Sequence, residues 1–479
     1  MDLIIAEKAI AGKRIATILG KGNVEQKTSQ GVPYWIVPNK NAIVFPLSGH
    51  ITTIDFPIRY KAWQGVDLRK LVNADIETKY TNPKLTKALD KLLSKANTLI
   101  ISTDADREGE NIGLEVVSRV KEVNPSLEIR RARFSAITPK DIQDAFADLG
   151  DFDFNLAYAS EARRAIDLVW GAVLTRFLSI AAGRYGKSFL SAGRVQTPAL
   201  ALIVDKERER LAFEVTPYWV VTANLSAKNV DFVATHKKER FLDKETAQKV
   251  VNKKADTARV LSVTKRKKTL KRPIPFDTTE FLRAATALGF SASDAMSIAE
   301  SLYQKGFTSY PRTDTNIYPK NLDLKDILRK LTALPEELGS LAKQLQKQGV
   351  STPSAGGKSA HDHPPIHPTG IFDKSQMTAR EWKLYELIVR RFFATLSTDA
   401  MVNTVRLDLD IAGEPFVATG QTLIDKGWKE YYPYSTLKEV ILPELAKGDE
   451  AKVKKLVLEE KETKPPARYS QGSLSLIHI

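Results

Sequence analysis

The chain contains no cysteine. Disulfides and thiolate-ligated metal centres, cysteine zinc modules included, are therefore excluded. Long hydrophobic runs are missing too: no apolar stretch approaches the roughly 20 residues that a bilayer-spanning helix needs. That leaves no place for a membrane partner. The amino terminus, Met1-Asp2-Leu3-Ile4-Ile5-Ala6-Glu7, is too briefly apolar for a secretory signal. No Gly-x-x-x-x-Gly-Lys-Ser/Thr loop is present to cradle ATP. Internal repeats and long low-complexity tracts are also absent. These absences point to an intracellular globular protein.

What is present is positive charge. Over 479 residues, 72 Lys and Arg face 57 Asp and Glu, a formal net charge of +15, and the pI is near 9.5. Such a molecule attracts polyanions. With 43% apolar residues, the length suits about three or four domains with their own cores. The sharpest local cluster is nonetheless acidic. Asp104-Ala105-Asp106-Arg107-Glu108-Gly109 follows Thr98-Leu99-Ile100-Ile101-Ser102-Thr103, a β-branched apolar run that reads as a buried strand. Carboxylates at alternate positions just past a strand end crowd like charge. A hard cation relieves it, and oxygen-only donors point to magnesium rather than zinc. A strand-to-helix turn is where open α/β sheets place their chemistry. A solvated acidic loop is the other reading of the same residues. A basic body around an acidic metal site suits an enzyme acting on phosphodiesters better than a nucleic-acid coat.

The first 150 residues alternate strand-like runs with helix-like stretches at Pro83 to Ser94 and Pro139 to Leu149. This predicts an α/β domain with a mainly parallel sheet. From about Phe154 to Arg210 the pattern turns helical, with Ile166, Val169, Trp170, Val173, Leu174 and Phe177 on one face. A second helix is expected to begin after Thr197 as N-cap, with Pro198 in first position. β-rich sequence from about Tyr218 to Thr264, and again from Val402 to about Glu460, brackets a helical stretch from about Thr278 to Leu396. The arrangement predicts one β domain with a helical domain inserted into it. At the joint, Lys265-Arg266-Lys267-Lys268 and Lys271-Arg272-Pro273-Ile274-Pro275 read as a basic linker, either solvated or touching DNA. Ser351 to Pro365 reads as a loop. Within the insert, Thr279 to Leu288, Gly289, and Ser291-Ala292-Ser293-Asp294 predict two helices about a glycine turn, the second ending at Gly306.

Phe307-Thr308-Ser309-Tyr310-Pro311-Arg312-Thr313-Asp314-Thr315 emerges from that helix end. Alone, Tyr310 reads as a half-buried strand residue. Its neighbours argue for a nucleophile. A phenol with a pKa of about 10 needs help to attack phosphorus. A nearby guanidinium favours phenolate and can stabilise a pentavalent phosphoryl centre. Pro311 fixes the local geometry.

Together these segments resemble the type IA DNA topoisomerases, closest in flavour to the topoisomerase III branch and its archaeal relatives. Leu3-Ile4-Ile5-Ala6-Glu7-Lys8 resembles the opening strand of the toprim domain, Pro46-Leu47-Ser48-Gly49-His50 its glycine-histidine motif, and Asp104 to Glu110 its acidic signature. Ala162-Arg163-Arg164-Ala165-Ile166-Asp167 and Ser191-Ala192-Gly193-Arg194-Val195-Gln196-Thr197-Pro198 are similar to the next domain. Ser309 to Thr315 resembles the active-site tyrosine motif, and His361 to Thr369 the histidine motif. The similarity runs from residue 1 to about 474. It implies a multidomain α/β, β and α fold with a toroidal core. Residues 1–150 would form a Rossmann-like toprim domain, and 151–212 the first part of a helical DNA-binding domain. A β hinge domain would be split between 213–275 and 400–460. Residues 276–399 would form a helical, helix-turn-helix-like domain carrying the tyrosine, and 461–479 would begin a return to the helical DNA-binding domain.

The resemblance further implies that Tyr310 cleaves one DNA strand and holds a 5′-phosphotyrosyl bond while another strand passes. Relaxation of negative supercoils or decatenation would follow, without ATP because the bond energy is retained. Arg312 would stabilise the phosphoryl charge, Lys8 the departing 3′-oxygen, and Glu7 would handle a proton or position metal. Asp104 and Asp106 would be the main magnesium ligands, supported by Glu108 and Glu7, with manganese able to substitute and no zinc. Arg163, Asp167, Arg194, Gln196, His50, His363 and Arg107 would contact DNA. Other readings stay open: Arg163 and Asp167, one turn apart, make an intrahelical ion pair equally well, His50 a satisfied buried histidine, and His361 with His367 a metal site, which the intervening prolines disfavour. The implied partners are single-stranded and negatively supercoiled DNA, and a helicase. The implied location is the cytoplasm, on the nucleoid, or the nucleus in a eukaryote. The chain ends at Leu474-Ser475-Leu476-Ile477-His478-Ile479, which does not resemble the family's continuing helix and is read as a truncation. Two rivals remain: a catalytically impaired single-stranded-DNA-binding fragment, and another toprim enzyme such as a primase or nuclease.

Overall fold

The computed structural model describes residues 1–359, 363–475 and 477. It opens with β1 (Asp2–Ala6), a strand whose alternate side chains serve two cores. Leu3 and Ile5 pack with Leu89, Leu93 and Val117 on one face of a sheet. Ile4 and Ala6 pack with Ile15, Ala16 and Ile142 on the other. The elements that follow are α1 (Ala9–Leu19), β2 (Glu25–Ser29), β3 (Val32–Val37), β4 (Ala42–Pro46), β5 (Thr52–Asp55), α2 (Arg69–Val72) and β6 (Glu77–Tyr80). Then come α3 (Pro83–Leu93), β7 (Thr98–Ile101), α4 (Arg107–Val123), β8 (Glu128–Arg131) and α5 (Pro139–Ala147). Asn82 and Thr138 cap α3 and α5 ahead of a first-turn proline. The sheet runs β2-β3-β4-β1-β7-β8. β1 is parallel to β4 and β7, and β7 to β8, while β2 and β3 add an antiparallel edge. The carboxyl ends of β1 and β7 therefore lie side by side, with Glu7 and Lys8 leaving one and Asp104 to Glu108 the other.

Two helices come next, α6 (Phe154–Ala181) and α7 (Gln196–Leu211). α7 starts earlier than the Thr197 cap predicts, because the Thr197 hydroxyl is used one turn back, accepting from the Gly193 amide at 3.2 Å. The apolar stripe of α6 is not a buried face. Ile166, Trp170 and Phe177 stay about half exposed, and the stripe borders a groove of about 500 Å³ shared with Val72, Ala74 and Ile76.

A closed barrel follows, built from β9 (Pro217–Ala227), β10 (Val230–His236), β11 (Thr257–Leu270), β12 (Ala400–Ile411), β13 (Glu414–Asp425) and β14 (Glu450–Glu462). Val260, Leu407, Leu409, Phe416 and Ala418 fill its core. The unforeseen α8 (Lys244–Val251) packs there through Ala247 and Val250. Lys265 to Lys268 are not a linker: they lie within β11, paired with Val405 to Val402 of β12. Between these two strands the chain is helical, with α9 (Thr278–Ala287), α10 (Ala292–Gln304), α11 (Leu324–Leu331), α12 (Glu336–Gln348) and α13 (Ala379–Leu396). Asp399 ties the exit to the return, taking Lys271 at 2.9 Å and the Arg272 amide at 3.0 Å. α13 is the buried axis of this insert, with Leu384, Tyr385, Leu387, Ile388, Phe392 and Phe393 in one core. A short α14 (Gln471–Ser475) rests on α9.

The insert docks against the α1 side of the sheet, and Tyr303 and Tyr310 belong to that core. Gly306 ends α10 at φ +71°, a conformation that favours glycine. A Cβ there would also press on the guanidinium of Arg14, which donates to the Ile137 carbonyl at 2.7 Å.

Candidate active site

The acidic turn is held from within. Asp106 caps α4, accepting from the Gly109 amide at 2.7 Å. A Cβ on Gly109 would fall 2.0 Å from the Asp104 carbonyl oxygen, so the turn closes only over glycine. Beneath it, Arg131 is fully buried. Its guanidinium donates to Glu110 at 2.8 Å, to the Asp104 carbonyl at 2.9 Å and to the Ile101 carbonyl at 3.2 Å.

Onto this turn the insert places its tyrosines. The Tyr310 amide donates to the Ser135 carbonyl at 2.9 Å, and its phenol donates to Asp106 Oδ2 at 2.7 Å. Tyr303 donates to Asp104 Oδ1 at 2.9 Å and meets the Tyr310 ring edge-on at 5.1 Å. The His363 ring lies 4.6 Å from the Tyr310 ring, with Nδ1 3.2 Å from the Ser135 hydroxyl. Tyr310 is only 4% exposed. Burial pushes its phenol well up, the charges of Asp104 and Asp106 push it further, and Arg312 opposes them weakly. In this conformation the tyrosine is a resting phenol. Arg312 is turned to Glu300, with Nε at 3.1 Å. Lys8 Nζ stands 3.4 Å from Glu7 and 3.7 Å from Glu300.

The four carboxylates expected to share a metal are not gathered as one set. Among the described residues, no three His, Asp or Glu side chains converge in ligand geometry. Each acid has a protein partner instead: Asp104 has Tyr303, Asp106 has Tyr310, Glu7 has Lys8, and Glu108 has His50. The donor chemistry still fits a hard cation. Burial, then Glu7 and Asp106, hold the Asp104 carboxyl well above the usual carboxylate range, the like-charge strain that a divalent ion removes. Glu108 stands apart from that crowding.

His50 sits between two carboxylates, Glu108 at 2.5 Å and Glu115 at 2.7 Å. Hydrogen bonds to Glu108 and Glu115 raise it to about 9 despite partial burial. Glu115 also accepts from the Ile51 and Thr52 amides and from Arg164 at 2.6 Å. Arg164, unremarked in the sequence beside Arg163, thus fastens α6 to this domain. Asp167 is taken chiefly by Arg194, at 2.7 and 3.3 Å; Arg163 is a distant second at 3.9 Å. Gln196 donates to the Ser191 hydroxyl at 2.8 Å. Arg163, Asp167 and Arg194 thus form one partly exposed set, and Arg107 is exposed at the head of α4. His361 lies outside the described residues. His367 is buried and bonded to the Pro368 carbonyl. Sequence reasoning missed Glu300, Tyr303, Ser135 and Arg131. Glu300 and Tyr303 had a signal, being one helical turn apart just before Gly306.

Comparison with known families agrees with this geometry. A Toprim domain model matches residues 2–137, and a DNA topoisomerase model matches residues 151–476. The chain belongs to the type IA DNA topoisomerases. It is 44% identical over 473 residues to DNA topoisomerase 1 of Archaeoglobus fulgidus, covering 98% of this chain and 70% of that protein. To DNA topoisomerase 1 of Thermoplasma acidophilum it is 41% identical, covering 98% of this chain and 61% of that one. The solved structure of full-length topoisomerase I from Thermotoga maritima superposes with a TM-score of 0.76 at 29% identity, covering 99% of this chain and 74% of that one. No helix among the described residues is long and apolar enough to cross a membrane.

Proposed function

We propose that this chain cleaves and reseals one DNA strand with Tyr310 as nucleophile. The observation that carries the reading is the Tyr310 phenol held 2.7 Å from Asp106, a contact joining the insert to the acidic turn. The phenol oxygen gives up its proton as it attacks a backbone phosphorus, the bond from phosphorus to the 3′-oxygen breaks, and that oxygen takes up a proton, so one proton is lost and one gained. A 5′-phosphotyrosyl bond conserves the energy, and the same steps in reverse reseal the strand. Arg312 is suited to balance charge on the phosphoryl oxygens, and Lys8 to supply the proton at the 3′-oxygen, with Glu7 beside it. Asp104, Asp106 and Glu7 are the donors we assign to magnesium or manganese, and Glu108 joins them only by releasing His50. The ion, when bound, would neutralise phosphate charge. His363, Arg163, Asp167, Arg194, Gln196 and Arg107 are assigned to DNA contact, whereas His50 serves as a brace within the domain.

Because Tyr310 is buried at a seam, the insert must part from the sheet before DNA reaches it. Parting with one DNA end on each side is the movement that passage of a second strand requires, so relaxation and decatenation are the proposed outcomes. Negatively supercoiled DNA supplies the single-stranded segments, as would a helicase partner, and the nucleoid of a prokaryotic cell is the proposed setting. A labelled single-stranded oligonucleotide incubated with magnesium should yield DNA covalently attached through its 5′ phosphate, and none with Tyr310→Phe. An adduct persisting in that variant would sink the assignment. An adduct without plasmid relaxation would mark a chain that cleaves but cannot pass strands.

A further inference from the structure

Glu300, on α10, receives two cations from separate parts of the chain. Arg312 belongs to the insert and reaches it through Nε at 3.1 Å. Lys8 follows β1 in the sheet domain and lies 3.7 Å away. Arg312 and Lys8 are about half and two-fifths exposed, whereas Glu300 is three-quarters covered. Among the described residues, Glu300 is the one carboxylate that pairs with both. A carboxylate gripped by a guanidinium fork and an ammonium presents two oxygens and one negative charge. A phosphodiester presents the same through its non-bridging oxygens.

Resting on the topoisomerase reading above, we infer that Glu300 is a positioning residue that holds the place of the scissile phosphate. In the DNA-free protein it keeps Arg312, and together with Glu7 also Lys8, ordered and neutralised across the seam. An entering phosphodiester must displace it and take both cations. The exchange lowers affinity for the strand, and in return the two groups are already aimed when the phosphate arrives. An ordinary salt bridge tying the two domains would show no such trade.

The test separates binding from chemistry. On a Tyr310→Phe background, equilibrium binding of a single-stranded DNA oligonucleotide with magnesium is compared for Glu300, Glu300→Gln and Glu300→Asp. The amide keeps the shape and removes the charge, so Kd should fall about two- to fivefold, the scale of a partly exposed ion pair. The gain should shrink as salt rises. Glu300→Asp, which retains the charge, should stay near the parent. With Tyr310 intact, Glu300→Gln should form its covalent adduct more slowly from the bound state, so affinity and rate move in opposite directions. An unchanged or weakened Kd overturns the inference. So does a Glu300→Gln chain that fails to fold, since a placeholder must be dispensable to the fold. If the parent chain with Tyr310 forms no adduct at all, the topoisomerase reading fails instead.

Discussion

At the scale of single residues, the site depends on a cation that never sees solvent. Arg131 is fully buried, neutralises Glu110 and holds the Asp104 carbonyl. Arg131→Met would leave Glu110, itself 1% exposed, as a buried charge with no counterion. We expect a loss of about 3–5 kcal/mol in urea denaturation. Arg131→Met combined with Glu110→Gln should recover much of it, since the uncompensated charge is gone. Equal losses in the single and double variants would mean that the carbonyl contacts carry the stability instead. Such residues are hard to read in a sequence. Arg131 stands among Arg130 and Arg133, and only the sheet decides which of them points inward. The acidic turn and Tyr310 were legible because unusual residue types cluster there. Glu300 and Tyr303 act through a partner far along the chain and left only their helical spacing as a trace.

At the scale of elements, α13 depends on its first turn. Thr378 and Glu381 form a capping box, and Glu381 also takes Lys305 at 2.6 Å and Ser301 at 2.7 Å from α10. Burial would raise this carboxyl, but Lys305, Ser301 and the Thr378 amide outweigh it and hold it at about 2, against an ordinary 4.5. A depressed folded-state value stabilises above the unfolded one and is lost as pH falls through the folded one. Glu381 should therefore contribute roughly 3 kcal/mol above pH 4.5, fading towards pH 2. Urea titrations at pH 6 and pH 3 should show the parent losing more stability than Glu381→Gln over that interval. Parallel losses would contradict the pairing. Caps such as Ser291 were legible because they act within four residues. The start of α7 was misread because Thr197 bonds backwards to Gly193, and the basic run of β11 because strand pairing overrode its linker-like composition.

At the scale of the whole molecule, the proposed function requires the seam to give way. The Tyr310 amide bonds across it to Ser135, whereas the adjacent Ser309 amide bonds to His367 within the insert. Hydrogen exchange resolved to single residues should find Tyr310 less protected than Ser309, because parting the domains frees one and not the other. A single-stranded oligonucleotide should lower protection at Tyr310 further. Equal protection at both positions would argue against an opening seam. The alternation of β-rich and helical stretches made a split β domain legible, whereas its closure into a barrel was not. That Tyr310 and the acidic turn form two halves of one site was legible only through the family resemblance, because the contact of Tyr310 with Asp106 joins residues some two hundred positions apart.

The barrel has one more consequence, for the order in which a ribosome releases the chain. β11 and β12 pair along nearly their whole length, from Arg259 with Asp410 to Leu270 with Ala400, yet all of residues 271–399 must emerge between them. The first sheet and then the helical insert can each complete locally, whereas closure waits for β14 near Glu462. Throughout that wait β11 has an open edge, the kind of surface that recruits strands from neighbouring nascent chains. Lys265, Arg266, Lys267 and Lys268 lie on that strand, and consecutive positive charges are a natural deterrent to such pairing. β14 covers that edge only from Thr257 to Arg259, so the basic run that resembled a linker guards the stretch of β11 that β14 leaves unpaired, before closure and after it.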